Sequence, residues 1–280
     1  MEYVESRRDA IEDRLCEVLA GVEPVELREE LERTALAGGK RVRPTLAVMC
    51  CEAAGGDAEA ALDYAVGVEL VHNASLVVDD IIDRSELRRG EPSAWAAFGH
   101  GPAILASDGL LGEAFALFSD DPRALETAAD ALVELGQGEA TELVDQPETE
   151  AEYMELARRK TGALFRAAAE LGAIAADADD VAIRAFGEYA ERVGVAFQLR
   201  DDVLDATADT DELGKPTGTD EEMDRPSVLR VTDRSVAEVN DLADEESAAA
   251  LAALEDAALD RGHAREYMEQ IAAFVVERER

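Results

Sequence analysis

Apolar residues recur every three or four positions along nearly the whole chain, which is the spacing of one face of an α-helix. Residues that favour helices, mainly Ala, Leu, Glu and Arg, dominate these stretches, and the longest cover residues 124–143, 151–176 and 182–206. Sustained alternation of polar and apolar residues is absent, as are Asn-Gly hairpin turns, so no strand is predicted. We therefore predict an all-α fold of about ten or more helices, forming a single domain over residues 1–280.

The charge balance excludes several classes of function. The chain has 27 Lys and Arg residues against 64 Asp and Glu residues, a net charge of -37 at pH 7. Such a surface repels phosphate backbones, so we expect no broad nucleic-acid binding. We find no apolar run of about 18 residues and no signal peptide, and therefore expect no membrane span and a cytoplasmic location. The odd set of three cysteines fits neither a disulfide framework nor a zinc site.

Lysine is rare, and each lysine lies in an unusual local setting. Lys40, Lys160 and Lys215 are the only three, while the acidic residues are spread along the chain. This composition predicts adaptation to high salt; base composition of a GC-rich genome is the alternative. Each lysine lies beside glycine, proline or arginine rather than on a polar helix face. We interpret them as compact charges that bind phosphate, the alternative being solvated loop residues.

Two aspartate clusters share one spacing and follow apolar helical stretches. They occupy residues 79–83 and 201–205, and each has aspartates at positions i, i+1 and i+4. On a helix this spacing places the first and last carboxylates on one face, one turn apart. Carboxylate oxygens suit Mg²⁺, although a chance pattern on a solvated face is the alternative. The predicted metal ligands are Asp79, Asp80, Asp83, Asp201, Asp202 and Asp205.

Basic motifs accompany these clusters in a fixed order. Residues 38–44 form a cationic loop at a predicted helix start, where backbone N–H groups add to the positive field. Two adjacent arginines, Arg88 and Arg89, follow the first cluster, and the second cluster is followed by residues 214–218, which contain Lys215. Together with Gly136-Gln137-Gly138 and Lys160-Thr161, this ordered set resembles the trans-isoprenyl diphosphate synthase (polyprenyl synthetase) family. The resemblance implies helices arranged around a central cavity.

The resemblance also implies a role for each matching residue. It implies Mg²⁺, with about three ions present when substrate is bound, and it assigns catalytic roles to Asp79, Asp83, Lys160, Asp201, Gln198 and Lys215. Substrate-binding roles fall on Lys40, Arg43, His72, Arg88, Arg89 and Thr161. Beyond Gly218 the chain departs from the family pattern, and Arg225 stands where the family has a lysine.

The implied activity is a condensation of isopentenyl diphosphate with an allylic diphosphate, which would be dimethylallyl, geranyl or farnesyl diphosphate. Small residues at Ala74 and Ser75, just before the first cluster, favour a product longer than fifteen carbons, with Phe115 or Phe118 as candidate stops deeper in the tunnel. We therefore expect geranylgeranyl diphosphate as the product, and the resemblance implies that the protein is a homodimer. The alternatives are a longer polyprenyl product for quinone tails, a weakly active partner subunit, or a terpene cyclase.

Overall fold

Helices make up nearly all of the structure, as the sequence predicts. The computed structural model describes residues 2–207, 225–255 and 262–277. The first six helices are α1 (Glu2–Ala20), α2 (Val25–Ala35), α3 (Val42–Ala53), α4 (Leu62–Ile82), α5 (Ala94–Phe98) and α6 (His100–Phe118). The next four are α7 (Pro122–Val144), α8 (Glu150–Ala157), α9 (Ala163–Ala175) and α10 (Asp180–Thr207). Three more follow, α11 (Val228–Val231), α12 (Val236–Glu255) and α13 (His263–Glu277).

One small hairpin corrects the prediction that the chain has no strands. Strands β1 (Leu87–Arg88) and β2 (Glu91–Pro92) pair antiparallel, with Leu87 opposite Pro92. The turn between them consists of Arg89 and Gly90, which both have positive φ, at 55° and 83°. A two-residue turn with positive φ at both positions matches the twist of a hairpin. The pairing therefore depends on turn geometry in a non-glycine residue, which the sequence did not reveal.

Helix α4 lies in the interior and carries the first aspartate cluster at its end. It is apolar on most sides before Asp79, so it packs against α3, α6 and α9. Helix α10, which carries the second cluster, packs against α9 and α12. Helices α3 and α9 approach closely at Gly172, where a Cβ would lie 2.0 Å from the carbonyl oxygen of Ala47. The core therefore fixes α4 and α10 relative to each other through α9.

Helix α6 is the one described helix that is long and apolar enough to cross a membrane. Its length and composition alone meet that test, and about a third of it (33%) is buried within the chain. One such helix is weak evidence for a span, because core helices of soluble proteins have the same composition. Its inner face packs on α2 and α4, while Ile104 and Leu105 on it are exposed.

Candidate active site

The first aspartate cluster lies at the C-terminal end of α4. Asp83 caps the helix, and its backbone N–H donates to the carbonyl oxygen of Asp79 at 2.8 Å, so the two side chains lie one turn apart. Burial raises the pKa of the Asp79 carboxyl above its ordinary value. The neighbouring charge of Asp83 adds to this increase, whereas Lys160 opposes it. A cation placed here would relieve the repulsion between the two carboxylates.

Asp80 is engaged by the first arginine of the hairpin. Its Oδ1 accepts hydrogen bonds from Nε and Nη2 of Arg88 at 3.0 and 2.5 Å, and Asp80 is buried. A bidentate pair of this kind fixes both side chains in one geometry. The middle aspartate of the cluster therefore holds Arg88 at the edge of the site.

The cationic loop and His72 form a second group of site residues. Nη1 of Arg43 lies 3.2 Å from Nε2 of His72, and its guanidinium carbon lies 4.5 Å from the centre of the Phe165 ring. Burial lowers the pKa of Arg43 to about 10. Burial, and then the charge of Arg43, lower the pKa of His72 well below its ordinary value, so its ring is neutral at pH 7. The buried Nε of Arg43 has no hydrogen-bond partner among the residues that the structure describes.

The hairpin docks on this loop through Arg89. Its guanidinium donates to the carbonyl oxygen of Gly38 and lies against Gly39, where a Cβ would come within 2.9 Å of it. Gly39 is therefore required for the close approach as well as for its φ of 128°. Lys40, the next residue, is exposed, and its ammonium nitrogen lies 5.8 Å from the ring centre of Phe274 in α13. The structure thus gathers Arg43, His72 and Arg89 around one region, while the ammonium group of Lys40 lies beside Phe274.

Asp202 of the second cluster is hydrogen-bonded to residues that come before and after the cluster in the sequence. One oxygen of this buried carboxylate accepts from the Tyr153 hydroxyl at 2.5 Å and from the backbone N–H of Val228 at 2.7 Å. The other accepts from Nε2 of Gln198 at 2.9 Å. Asp201 and Asp205 flank it on α10, and both are partly buried.

Lys160 and Thr161 lie in a single π-helical turn, Arg158–Gly162, between α8 and α9. Such turns occur frequently at functional sites. The Thr161 hydroxyl donates to Oε1 of Gln198 at 2.7 Å, which connects this turn to the second cluster through Asp202. The ammonium group of Lys160 contacts Glu142 and lies 3.5 Å from Glu139. The turn therefore lies between the two aspartate clusters.

Glu139 and Glu142 are site residues that the sequence analysis missed. In the motif at 136–138, Gly136 and Gln137 are exposed, and only Gly138 packs inward, where a Cβ would lie 2.9 Å from the backbone nitrogen of Lys160. Glu142 lies one turn beyond Gly138, on the same face of α7. Burial raises the pKa of Glu139 to about 7. The spacing of one turn between Gly138 and Glu142 could have indicated that Glu142 is a site residue. The sequence did not show which face of α7 points towards the site.

Arg225 joins the site from the C-terminal part of the chain. Its Nη2 donates to Oδ1 of Asp83, and its Nη1 lies 3.9 Å from Glu142. The predicted contact through Lys215, in residues 214–218, lies outside the described residues. One catalytic candidate of the sequence analysis therefore has no structural account.

The donor chemistry of the site fits Mg²⁺, which prefers oxygen ligands. Asp79 and Asp83 present carboxylates one turn apart, and burial raises the pKa of the Asp79 carboxyl. Within residues 2–207, 225–255 and 262–277, no three side chains of His, Cys, Asp or Glu form a compact metal-binding group. Further ligands would therefore be water and substrate oxygens, which is how Mg²⁺ is commonly held with phosphates.

Comparison with known proteins gives consistent matches. The family model described as polyprenyl synthetase matches residues 24–268. The chain is 37% identical over 229 residues to the short chain isoprenyl diphosphate synthase of Methanothermobacter thermautotrophicus, covering 79% of this chain and 70% of that protein. It is 35% identical over 230 residues to the geranylgeranyl diphosphate synthase of Methanosarcina mazei, covering 79% of this chain and 71% of that protein.

Solved structures match over nearly the whole chain. The geranylgeranyl pyrophosphate synthetase of Pyrococcus horikoshii superposes with a TM-score of 0.89 at 34% identity, covering 99% of this chain and 98% of that one. A geranylgeranyl pyrophosphate synthase from Corynebacterium glutamicum, complexed with isoprenyl diphosphate and magnesium, gives 0.85 at 25% identity and covers 99% of both chains.

Proposed function

The chain belongs to the polyprenyl synthetase family and is a trans-prenyltransferase, and we propose that it adds isopentenyl diphosphate to an allylic diphosphate to make geranylgeranyl diphosphate. The observation that carries this proposal is the division of the site cations into two groups. One group surrounds Arg43 and His72, while the other, at Lys160 and Arg225, lies among the carboxylates. Two separate cationic regions suit two diphosphates. Residues 1–280 are proposed to act as one catalytic domain.

The allylic diphosphate is assigned to the region between the aspartate clusters. The two outer aspartates of each cluster, Asp79 with Asp83 and Asp201 with Asp205, would hold Mg²⁺, because carboxylates one helical turn apart suit this ion. Bound Mg²⁺ would neutralise the negative charge that develops on the diphosphate as it leaves. Lys160, Arg88 and Lys215 would contact the same oxygens as point charges or bidentate donors. About three ions are proposed, with water and substrate oxygens as their further ligands.

Isopentenyl diphosphate is assigned to the group formed by Lys40, Arg43, His72 and Arg89. The unpartnered buried Nε of Arg43 supports an anion here, because a buried donor without a partner destabilises the unliganded state. The neutral ring of His72 can donate one hydrogen bond without adding charge. Lys40, Arg43 and Arg89 would therefore supply positive charge, and His72 would orient the diphosphate through a hydrogen bond.

Bond formation is assigned to the space beside Thr161 and Gln198. The allylic C–O bond breaks and its electron pair leaves with the diphosphate, which gives an allylic cation. The double bond of isopentenyl diphosphate then attacks this cation, and loss of a proton to the released diphosphate completes the new chain. The Thr161–Gln198 hydrogen bond holds two oxygens in a fixed orientation, and such preorganised dipoles stabilise developing positive charge.

Product length is proposed to depend on residues below the first cluster. Ala74 is buried on α4, and its carbonyl oxygen accepts from the Ser107 hydroxyl of α6 at 3.2 Å. Farther from the cluster, the fully buried Phe118 ring fills the space beside Gly67, where a Cβ would lie within 2.4 Å of it. Gly67 precedes Asp79 by twelve residues, or about 18 Å along a helix. Phe118 is therefore our choice over the half-buried Phe115 as the stop.

A homodimer is proposed from the exposed face of α6. Ile104 and Leu105 on α6 and Val133 on α7 are more than half exposed. A dimer interface on this face would remove these exposed apolar side chains from water, which is favourable. Sedimentation at molar salt should give twice the 30.0 kDa chain mass, and Leu105→Asp should yield the monomer.

The setting is proposed to be a salt-rich cytoplasm, because the excess of acidic residues and the scarcity of lysine are typical of adaptation to high salt.

The function is tested by incubating the protein at molar salt with Mg²⁺, isopentenyl diphosphate and a labelled allylic diphosphate. An elongated prenyl diphosphate is the expected product. A released hydrocarbon would instead identify a terpene cyclase, and no turnover would identify an inactive partner subunit.

A further inference from the structure

Arg41 lies in the cationic loop but points away from the proposed substrate region. Its side chain is 0% exposed and its guanidinium makes four hydrogen bonds. Nη1 donates to Oε1 of Glu69 at 2.6 Å. Nε and Nη2 donate to the two carboxylate oxygens of Glu12, at 2.6 and 3.2 Å. Nη2 also donates to the backbone carbonyl oxygen of Ala35 at 2.8 Å. The Arg41 side chain, at the start of α3, is therefore hydrogen-bonded to three other helices: α1, the end of α2, and α4.

The backbone of this loop takes an unusual course that these bonds hold in place. Gly38, Gly39 and Arg41 all have positive φ, at 82°, 128° and 50°. Glycine adopts such angles readily, but an arginine in the left-handed region is uncommon and persists only where its surroundings determine it. The four hydrogen bonds of the Arg41 side chain stabilise this backbone conformation. Lys40 precedes this residue and Arg43 follows it by two, so both depend on its conformation.

Glu69, the partner of Arg41, lies on α4 on the side of the substrate region that carries His72. Its carboxylate is 3% exposed and lies on α4 three residues before His72. It also accepts from the Asn73 side chain at 3.3 Å. Because Arg41 is bonded to α4 at Glu69, the start of α3 is held at a fixed distance from the turn of α4 that carries His72. The 3.2 Å contact between Arg43 and His72 spans that distance.

Glu69 also balances the positive charge that gathers here. Its carboxylate is the principal group opposing the burial that lowers the pKa values of Arg43 and Arg89. The charge of Arg89 lowers the pKa of Arg43, and the charges of Arg41 and Arg88 lower the pKa of Arg89. A carboxylate behind the cations therefore stabilises their charged forms without occupying the region where an anion would bind.

We propose that Arg41 is a positioning residue for isopentenyl diphosphate, and that its buried ion pair with Glu69 sets the separation between the Lys40–Arg43 loop and His72. This inference rests on the proposed assignment of that substrate to the loop. Arg41 does not touch the substrate. It acts through the geometry of the residues that do.

Arg41→Lys tests this inference, because it retains the charge but loses the fork that reaches Glu12, Glu69 and Ala35. We expect the KM for isopentenyl diphosphate to rise by about tenfold or more, since small misplacements of binding groups have effects of that size. The KM for the allylic diphosphate should change less than about twofold. Glu69→Gln keeps the shape of the carboxylate and should give a smaller rise in the same KM.

Arg7→Lys is the matched control. Arg7 also joins α1 to α3, through Glu52 at 3.2 and 2.5 Å, but at the opposite end of α3. It should lower the melting temperature and leave both KM values unchanged. If Arg41→Lys behaves as this control does, Arg41 is a structural residue only and the inference is wrong. Equal rises in both KM values would also contradict it.

Arg43→Ala, measured in parallel, separates the inference from the function on which it rests. If Arg43→Ala raises the KM for isopentenyl diphosphate but Arg41→Lys does not, the substrate assignment holds and the positioning role alone fails. If Arg43→Ala leaves that KM unchanged, the assignment of the loop is wrong, and the positioning role is excluded with it. If Arg41→Lys does not fold, Glu69→Gln decides between these outcomes by the same KM comparison.

Discussion

Arg225 donates a hydrogen bond to Oδ1 of Asp83 across 142 residues of sequence. The same guanidinium lies 3.9 Å from Glu142 of α7, so a residue from the C-terminal part of the chain contacts carboxylates on two different helices. The backbone N–H of Val228, three residues later, donates to Asp202 of the second cluster. Residues 225–228 therefore link both aspartate clusters.

Replacing Arg225 should slow the reaction by removing a cation that faces the leaving diphosphate. We expect Arg225→Ala to lower kcat by about tenfold or more, the usual effect of losing a charged hydrogen bond, and Arg225→Lys to recover most of it. Arg234→Ala is the control, because Arg234 lies nearby but pairs with Glu150 at the surface. Faster turnover in Arg225→Ala would show that Arg225 blocks Asp83 rather than assisting catalysis.

The outer aspartates of both clusters should carry the dependence on Mg²⁺. Asp79→Ala or Asp205→Ala should lower kcat by about a hundredfold or more, since metals stabilise charge on the leaving group. Steady-state kinetics over a range of Mg²⁺ concentrations measure this. Asp63→Ala, on the first turn of α4 and paired with Arg14, should have little effect. Near-normal turnover in either cluster variant would contradict the metal assignment.

Product length should respond in opposite directions to two substitutions. Ala74→Phe should shorten the product by at least one isoprene unit, because a phenyl ring would fill the tunnel near the first cluster. Phe118→Leu should lengthen it, because the smaller side chain leaves space beside Gly67. Phe115→Leu is the control for Phe118. Chromatography of the dephosphorylated products measures all three, and an unchanged distribution in Ala74→Phe would show that Ala74 does not line the tunnel.

Stability should depend on pH through Glu170 of α9. Burial raises the pKa of Glu170 to about 7, and Arg166, which lies 3.8 Å away, opposes this. A raised pKa means that the folded state binds the proton more tightly, so this contribution to stability is complete below pH 4.5 and is lost as pH rises to about 7. Glu170→Gln should therefore become more stable relative to the parent protein across that range.

Thermal unfolding of both proteins between pH 4.5 and 8 measures the difference. Glu126→Gln, on an exposed part of α7, serves as the control and should show a constant offset from the parent protein. A constant offset for Glu170→Gln as well would show that its carboxyl group does not titrate differently in the folded state.

The sequence predicted the features that depend on local pattern and on residue type. Helical periodicity predicted the all-α fold, and the spacing of Asp79 and Asp83 placed them one turn apart, as the structure has them. The sequence did not reveal that Gly138 and Glu142 face Lys160, because the rotation of α7 about its axis is set by packing. Nor did it reveal the turn at Arg89, whose positive φ accompanies a contact of its side chain with the distant residue Gly38.

Buried ion pairs were likewise beyond the sequence. Arg41 lies between Lys40 and Arg43 and has the same chemistry as its neighbours, yet its side chain points to Glu69 in the interior. The direction of a side chain in an irregular loop depends on distant partners, here Glu12 and Glu69. Residue type therefore identified the cationic loop, and only the structure separated the buried arginine from those facing the substrate region.

Incorporation of labelled isopentenyl diphosphate into a chain of defined length tests the central claim most directly. The protein is incubated at molar salt with Mg²⁺, labelled isopentenyl diphosphate and farnesyl diphosphate, and the dephosphorylated products are separated over time. We predict that the label accumulates in geranylgeraniol and does so only when Mg²⁺ is present. Failure to incorporate the label, or its incorporation in equal amount after Mg²⁺ is removed by a chelator, would contradict the account.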